Sequence, residues 1–111
     1  MSKFMLLYIS PLSAEQQMAN ASPEETQKGM EPWMAWFGKM GSAIVDGGAP
    51  LVAGANVTAS GSSGRKTQIA GYSIIEAADL NAAKGMLAGH PHLMDPGNSI
   101  EVVETMPMPG M

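Results

Sequence analysis

The residues best suited to chemistry sit together at His90-Pro91-His92, with Asp95 three positions further on. These are the only two histidines in the chain, and imidazole is the side chain that changes charge near neutrality and most readily ligates metals. A His with a nearby carboxylate could move a proton as acid or base, which makes His90, His92 and Asp95 the catalytic candidates. The same residues have a structural reading. They follow an apolar stretch that ends at Gly89, and an imidazolium at a helix C-terminus is favoured by the helix dipole. Two histidines flanking a proline do not have zinc-site spacing. Neither a metal nor a cofactor is expected.

A second set of residues could bind rather than react. Trp33, Trp36 and Phe37, in a chain with eleven methionines, supply soft aromatic surface suited to a flat apolar ligand, although such residues more often form core. Tyr8 and Arg65 add a hydroxyl and a fixed cation. The ligand-binding candidates are therefore Tyr8, Trp33, Trp36 and Arg65. Gly61-Ser62-Ser63-Gly64-Arg65-Lys66 offers backbone amides to an anion, but it lacks Walker spacing and opens no helix, so a solvated loop is its simpler reading.

These residues must be held by regular elements. Phe4 to Ile9 is apolar on both alternating faces and reads as a central strand. Ser10 to Ala21 is polar and aperiodic, hence loop. Ser22-Pro23-Glu24-Glu25 has the spacing of a capping box with proline at the first helical position. From there Met30, Trp33, Phe37, Met40 and Ile44 follow three-and-four spacing, with Met34 and Trp36 widening the stripe. Pro32 lacks the amide that would bond to Lys28, which predicts a kink or restart near Gly29 to Glu31.

Ala43 to Val52, with Ile44, Val45, Leu51 and Val52 around the punctuating Asp46-Gly47-Gly48, reads as a second strand, straight or bulged. Ala53 to Lys66 is a Gly, Ser and Ala run with little apolar mass, expected to be a mobile hairpin loop or flap. Thr67 to Glu76 is a third strand. Asp79 caps a helix through Leu80, Ala83 and Leu87 to Gly89, and Ser99 to Thr105 is the last strand.

The order βαββαβ folds most simply as a ferredoxin-like α+β domain over residues 1–111. Its four-stranded antiparallel sheet takes the order 4-1-3-2, with both helices on one face. In that sheet the first and second strands run the same way. Asp46 then lies at the opposite end from His90, separated by an eight-residue strand of about 25 Å, so the two should not pair within one subunit. Asp46 beside two glycines reads as a turn former.

Because the strands are apolar on both faces and two helices cover only one, the bare face predicts a second copy, a homodimer of the dimeric α/β barrel type. The tail Met106-Pro107-Met108-Pro109-Gly110-Met111 cannot be helical and is too apolar to prefer water, so it is expected to lie across the partner.

Composition narrows the partners. Hydrophobic residues make up 45% and charged residues 14% of 111, the balance of a globular chain with few charges for its surface. A net charge of -4 with six Lys and Arg leaves no basic stripe for nucleic acid. The six-residue apolar run near the N-terminus is too short for a signal peptide or a membrane span. A cytoplasmic protein without a membrane partner is the expectation.

With these elements placed, the chain resembles the YCII-related family. The likeness rests on Phe4-Met5-Leu6-Leu7, Ser22-Pro23-Glu24-Glu25, Trp33-Met34-Ala35-Trp36, Asp46-Gly47-Gly48-Ala49-Pro50-Leu51, Gly71-Tyr72-Ser73-Ile74, His90-Pro91-His92-Leu93 and Ile100-Glu101-Val102. The resemblance implies a dimer with a pocket at the subunit boundary. It also implies, for some relatives, a His and Asp pair that removes a leaving group from an aromatic compound. That His belongs to the first helix, and here the first helix holds none, so the dyad does not carry over. Two functions follow as expectations: a small-molecule enzyme of lyase-like or elimination chemistry using His90 or His92, or a non-catalytic dimer that binds a small ligand or a protein.

Overall fold

A computed structural model describes residues 1–12, 16 and 22–108. Strand β1 (Ser2–Ile9) leads to helix α1 (Pro23–Met40) and a 3₁₀ turn, then to strand β2 (Ile44–Pro50). A hairpin of β3 (Ala55–Thr58) and β4 (Gly61–Gly64) follows, then β5 (Ile69–Ala77), helix α2 (Leu80–Gly85), a second 3₁₀ turn (Pro91–Met94) and β6 (Ser99–Glu104). The main sheet has the order β2-β5-β1-β6 and all its pairings are antiparallel. This is the expected 4-1-3-2 arrangement, and the fold is the ferredoxin-like α+β fold.

Alternation along the strands fixes the two faces. Phe4, Leu6 and Tyr8 of β1 and Ser73, Ile75 and Ala77 of β5 are buried on the helix side, where they meet Trp36, Ala83 and Leu87. Their neighbours point the other way. Met5, Leu7, Tyr72 and Ile74 are only half-buried there, in register as the pairs Met5–Ile74 and Leu7–Tyr72.

Helix α1 starts as its sequence dictates, with Ser22 Oγ accepting the Glu25 amide at 3.1 Å. It is helical throughout Pro23–Met40 with Pro32 inside it, so the restart that the sequence offers as one outcome does not occur. The carbonyl deprived of a partner belongs to Lys28, an exposed residue, where water can replace the lost bond. Asp79 caps α2 through the Ala82 amide at 2.8 Å, and α2 gives way to turns after Gly85 rather than continuing to Gly89.

The Gly, Ser and Ala run forms the β3–β4 hairpin, joined by four register pairs. Most of the segment Ser10 to Ala21, and the last three residues of the tail, lie outside the described residues. Among the described residues no helix is long and apolar enough to cross a membrane.

Candidate functional site

Gly71 is the residue around which the site is built. Register places it opposite Tyr8, and the space a side chain would occupy is taken: a Cβ there would lie 3.4 Å from Tyr8 Cδ2 and 3.3 Å from the Ala49 carbonyl oxygen. The Tyr8 ring therefore lies over the Gly71 backbone. Its hydroxyl reaches diagonally across the sheet and donates to Ser73 Oγ at 2.7 Å, and Ser73 Oγ donates in turn to the Gly47 carbonyl at 2.8 Å.

The chain of hydrogen bonds extends behind Tyr8 to His90. His90 is 1% exposed, and its Nδ1 accepts the His92 amide at 3.0 Å, capping the second 3₁₀ turn. A nitrogen that accepts from an amide carries no proton, so the neutral ring holds its proton on Nε2. That nitrogen lies 3.3 Å from Tyr8 Oη and is its donor. Burial first, and then the neighbouring His92, lower the His90 pKa from 6.5 to about 4, and burial raises that of Tyr8. Both groups stay neutral near pH 7. The result is a one-way series of donors, His90 to Tyr8 to Ser73 to Gly47.

His92 is also buried, with Nε2 3.0 Å from the Ile9 carbonyl; since a carbonyl only accepts, Nε2 is the donor. Asp95 joins neither imidazole. It is exposed, and its Oδ1 accepts the Gly97 amide at 3.0 Å. Among the described residues no group of three or more His, Asp or Glu could hold a metal.

Asp46 is a turn former, as its sequence context suggests: its Oδ1 accepts the Gly48 amide at 2.8 Å. Among the described residues no hydrogen bond joins Asp46 to His90, but the strand-length distance expected between the Asp46 turn and His90 is not found. Register breaks on both sides of Asp46 make Asp46-Gly47-Gly48 a bulge midway along β2, with Asp46 opposite Ile74 rather than at a strand end. Three hydrogen bonds then join Gly47 to His90 within one subunit.

Beside the bulge lies a cleft of about 250 Å³. Helix α1 contributes Met30, Trp33 and Phe37, β2 contributes Gly47 to Pro50, and Tyr8, Gly71 and Tyr72 complete it. No residue of this lining carries a formal charge near pH 7. Trp33 stands edge-on to Tyr8, ring centres 5.0 Å apart at 90°, and stands the same way to His90 at 4.9 Å.

The two tryptophans divide their roles. Trp36 is 4% exposed, donates from Nε1 to the Met86 carbonyl at 3.0 Å and packs against His90 with ring centres 4.3 Å apart and planes tilted by 56°. Trp33 is half-buried and forms the cleft wall. Of the four ligand-binding candidates, the structure thus brings Tyr8 and Trp33 together in the cleft and puts Trp36 in the core behind them.

Arg65 lines a different cleft, of about 150 Å³ and mixed polar and apolar lining, with Ser10, Thr67 and Gln68. Its guanidinium donates to the carbonyls of Val52 at 2.9 Å and Ile69 at 2.6 Å, and a Cβ at Gly54 would approach its stem to 3.0 Å. Arg65 staples the base of the β3–β4 hairpin to the sheet.

Sequence reasoning missed Ser73 and the Gly47 carbonyl. The available signal was a polar residue at an inward position of β5, between Gly71 and Ile75, where a buried hydroxyl requires partners.

A family model for the YCII-related domain matches residues 3–109, and the chain belongs to that family. Among curated proteins none matches it.

Proposed function

We propose that this protein is a homodimeric binding protein for a small, flat, uncharged molecule, held in the cleft between α1 and the β2 bulge. The observation that carries this reading is the lining itself. Two aromatic rings from α1 face a backbone wall of Gly47 to Pro50, with Tyr8 behind and no charged side chain present. An apolar cavity of about 150 Å³ accommodates benzene, so a cleft of about 250 Å³ suits one or two fused rings. A charged ligand would lose hydration there without gaining a counter-ion.

Enzymatic use of the histidines is the weaker reading. An acid or base must reach the proton it transfers, but His90 has both ring nitrogens engaged with protein groups, and neither histidine lines the aromatic cleft. The buried chain serves as architecture for the cleft wall.

The dimer rests on the sheet face opposite the helices. Met5, Leu7, Tyr72 and Ile74 form a contiguous patch there, and Val103, 45% exposed, extends it. Two copies that pack these faces remove the patch from water, and the exposed Met106 and Met108 of the tail lie against the partner.

Titration of 4-fluorophenol followed by fluorine NMR tests the binding reading, with 4-fluorobenzoate and 4-fluorobenzylamine as charged comparators. The neutral ring should bind at least about tenfold tighter than either ion, and Trp33→Ala should abolish the difference. Equal or tighter binding of the carboxylate, or binding indifferent to Trp33→Ala, would refute it.

A further inference from the structure

The β2 bulge is attached to the sheet in an unusual way. The register passes from Asp46, opposite Ile74, to Ala49, opposite Tyr72, and leaves Gly47 and Gly48 without strand partners of their own. The Asp46 carboxylate holds Gly48, but that bond lies within the bulge and cannot fix it relative to the strands beside it. The side-chain bond that crosses from β5 is Ser73 Oγ to the Gly47 carbonyl at 2.8 Å. Ser73 is 0% exposed and does not line the cleft, whereas Gly47 and Tyr8, the two groups it joins, do.

We propose that Ser73 is the positioning residue of the cleft: by accepting from Tyr8 and donating to Gly47 it sets the distance between the bulge and α1, and so selects what the cleft admits. This rests on the binding reading above and names the residue that tunes it. Two consequences follow from the direction of the bonds. The Tyr8 proton and a Gly47 carbonyl lone pair are both directed to Ser73, so these two groups are turned to the protein and shape carries most of the ligand's recognition. The opposite wall is within reach of any shift, because a Cβ on Gly47 would sit 3.8 Å from the tip of the Phe37 ring. Without Ser73 Oγ, the Gly47 carbonyl and Tyr8 hydroxyl lose their buried partner, and the bulge relaxes relative to Phe37.

The test uses full-length protein, 4-fluorophenol as the probe and three variants. Ser73→Ala should weaken probe binding about tenfold and remove the nuclear Overhauser contact between the Phe37 ring and the Gly47 α-protons. Ser73→Cys keeps a weak donor and acceptor in place and should recover part of both. Ile75→Val loosens the same strand from a fully buried site outside the hydrogen-bonded chain, and should leave affinity and the Phe37–Gly47 contact unchanged. Native affinity in Ser73→Ala, or an equal loss in Ile75→Val, would overturn the assignment. Should the native protein bind no 4-fluorophenol, the binding reading fails by itself, and the Phe37–Gly47 contact decides this one: its persistence in Ser73→Ala overturns the role of Ser73. If Ser73→Ala does not fold, Ser73→Cys decides, since a native contact and native affinity there would contradict dependence on a strong hydroxyl bond.

Discussion

Tyr8 donates to Ser73 across 2.7 Å, although register pairs Tyr8 with Gly71 and Ser73 with Leu6. This diagonal bond is where the strand pattern meets the cleft. It exists because Gly71 leaves the Tyr8 ring room to lie along the sheet, and it turns an inward serine in an apolar strand into a junction between the His90 turn and the β2 bulge. A buried polar series of this kind holds only when every member is satisfied, and among the described residues no buried side-chain polar atom lacks a partner.

The first prediction concerns acid. The unfolded chain protonates His90 near its ordinary 6.5, while the folded protein resists until about 4. Stability from the neutral ring is therefore fully present above about pH 6.5, falls as pH drops toward 4, and levels off below. The full loss corresponds to about 3 kcal/mol, of which about 2 kcal/mol falls between pH 7 and 4.5, read from urea unfolding at pH 7, 5.5 and 4.5. His90→Gln, which keeps a donor toward Tyr8, should flatten that slope; an unchanged slope would show that other groups set the acid response.

Glycines give a paired prediction. Gly48 has φ +77°, and a Cβ there would overlap the Tyr72 carbonyl oxygen, so Gly48→Ala must displace the bulge and should cost more than about 2 kcal/mol. Gly38 lies exposed inside α1, and a Cβ added to it would meet nothing within 4 Å. Gly38→Ala should stabilise by about 0.5–1 kcal/mol. Thermal unfolding of both variants checks the signs, and a neutral Gly48→Ala would contradict the described bulge.

The dimer gives the third. Light scattering at micromolar concentration should return about twice the 11.6 kDa chain mass. Deleting residues 106–111 should weaken association and lower the unfolding midpoint together, because Met106 and Met108, 82% and 66% exposed in the single chain, would lose the partner surface. A monodisperse monomer would dismiss the dimer, and an equally stable, equally dimeric truncation would dismiss the tail's part in it.

Much of the fold was legible because its signals are local. The capping serine at Ser22, the Asp79 cap and the alternation of β1 each follow from a few adjacent residues, and strand order then follows from connection rules. The site was less legible because it depends on register. Asp46-Gly47-Gly48 reads as a turn at the end of a straight or bulged strand, but where it falls along β2 depends on which residues of β5 face it, and its mid-strand place brings the Gly47 carbonyl within three hydrogen bonds of His90. Likewise, spacing put Trp33 and Trp36 on one broad stripe, and only packing against Met86 and His90 decides that Trp36 is the core residue and Trp33 the wall.

On the proposed function, ligand enters between α1 and the β2 bulge while the histidines support that cleft from behind. Amide and indole chemical shifts of ¹⁵N-labelled protein titrated with 4-fluorophenol test it most directly. The largest changes are expected at the Trp33 indole and the amides of Gly47, Gly48 and Gly71, with saturation at one common affinity. Changes centred on His92 and Asp95, or on Arg65 and Gln68, with the Trp33 indole unmoved, would contradict it.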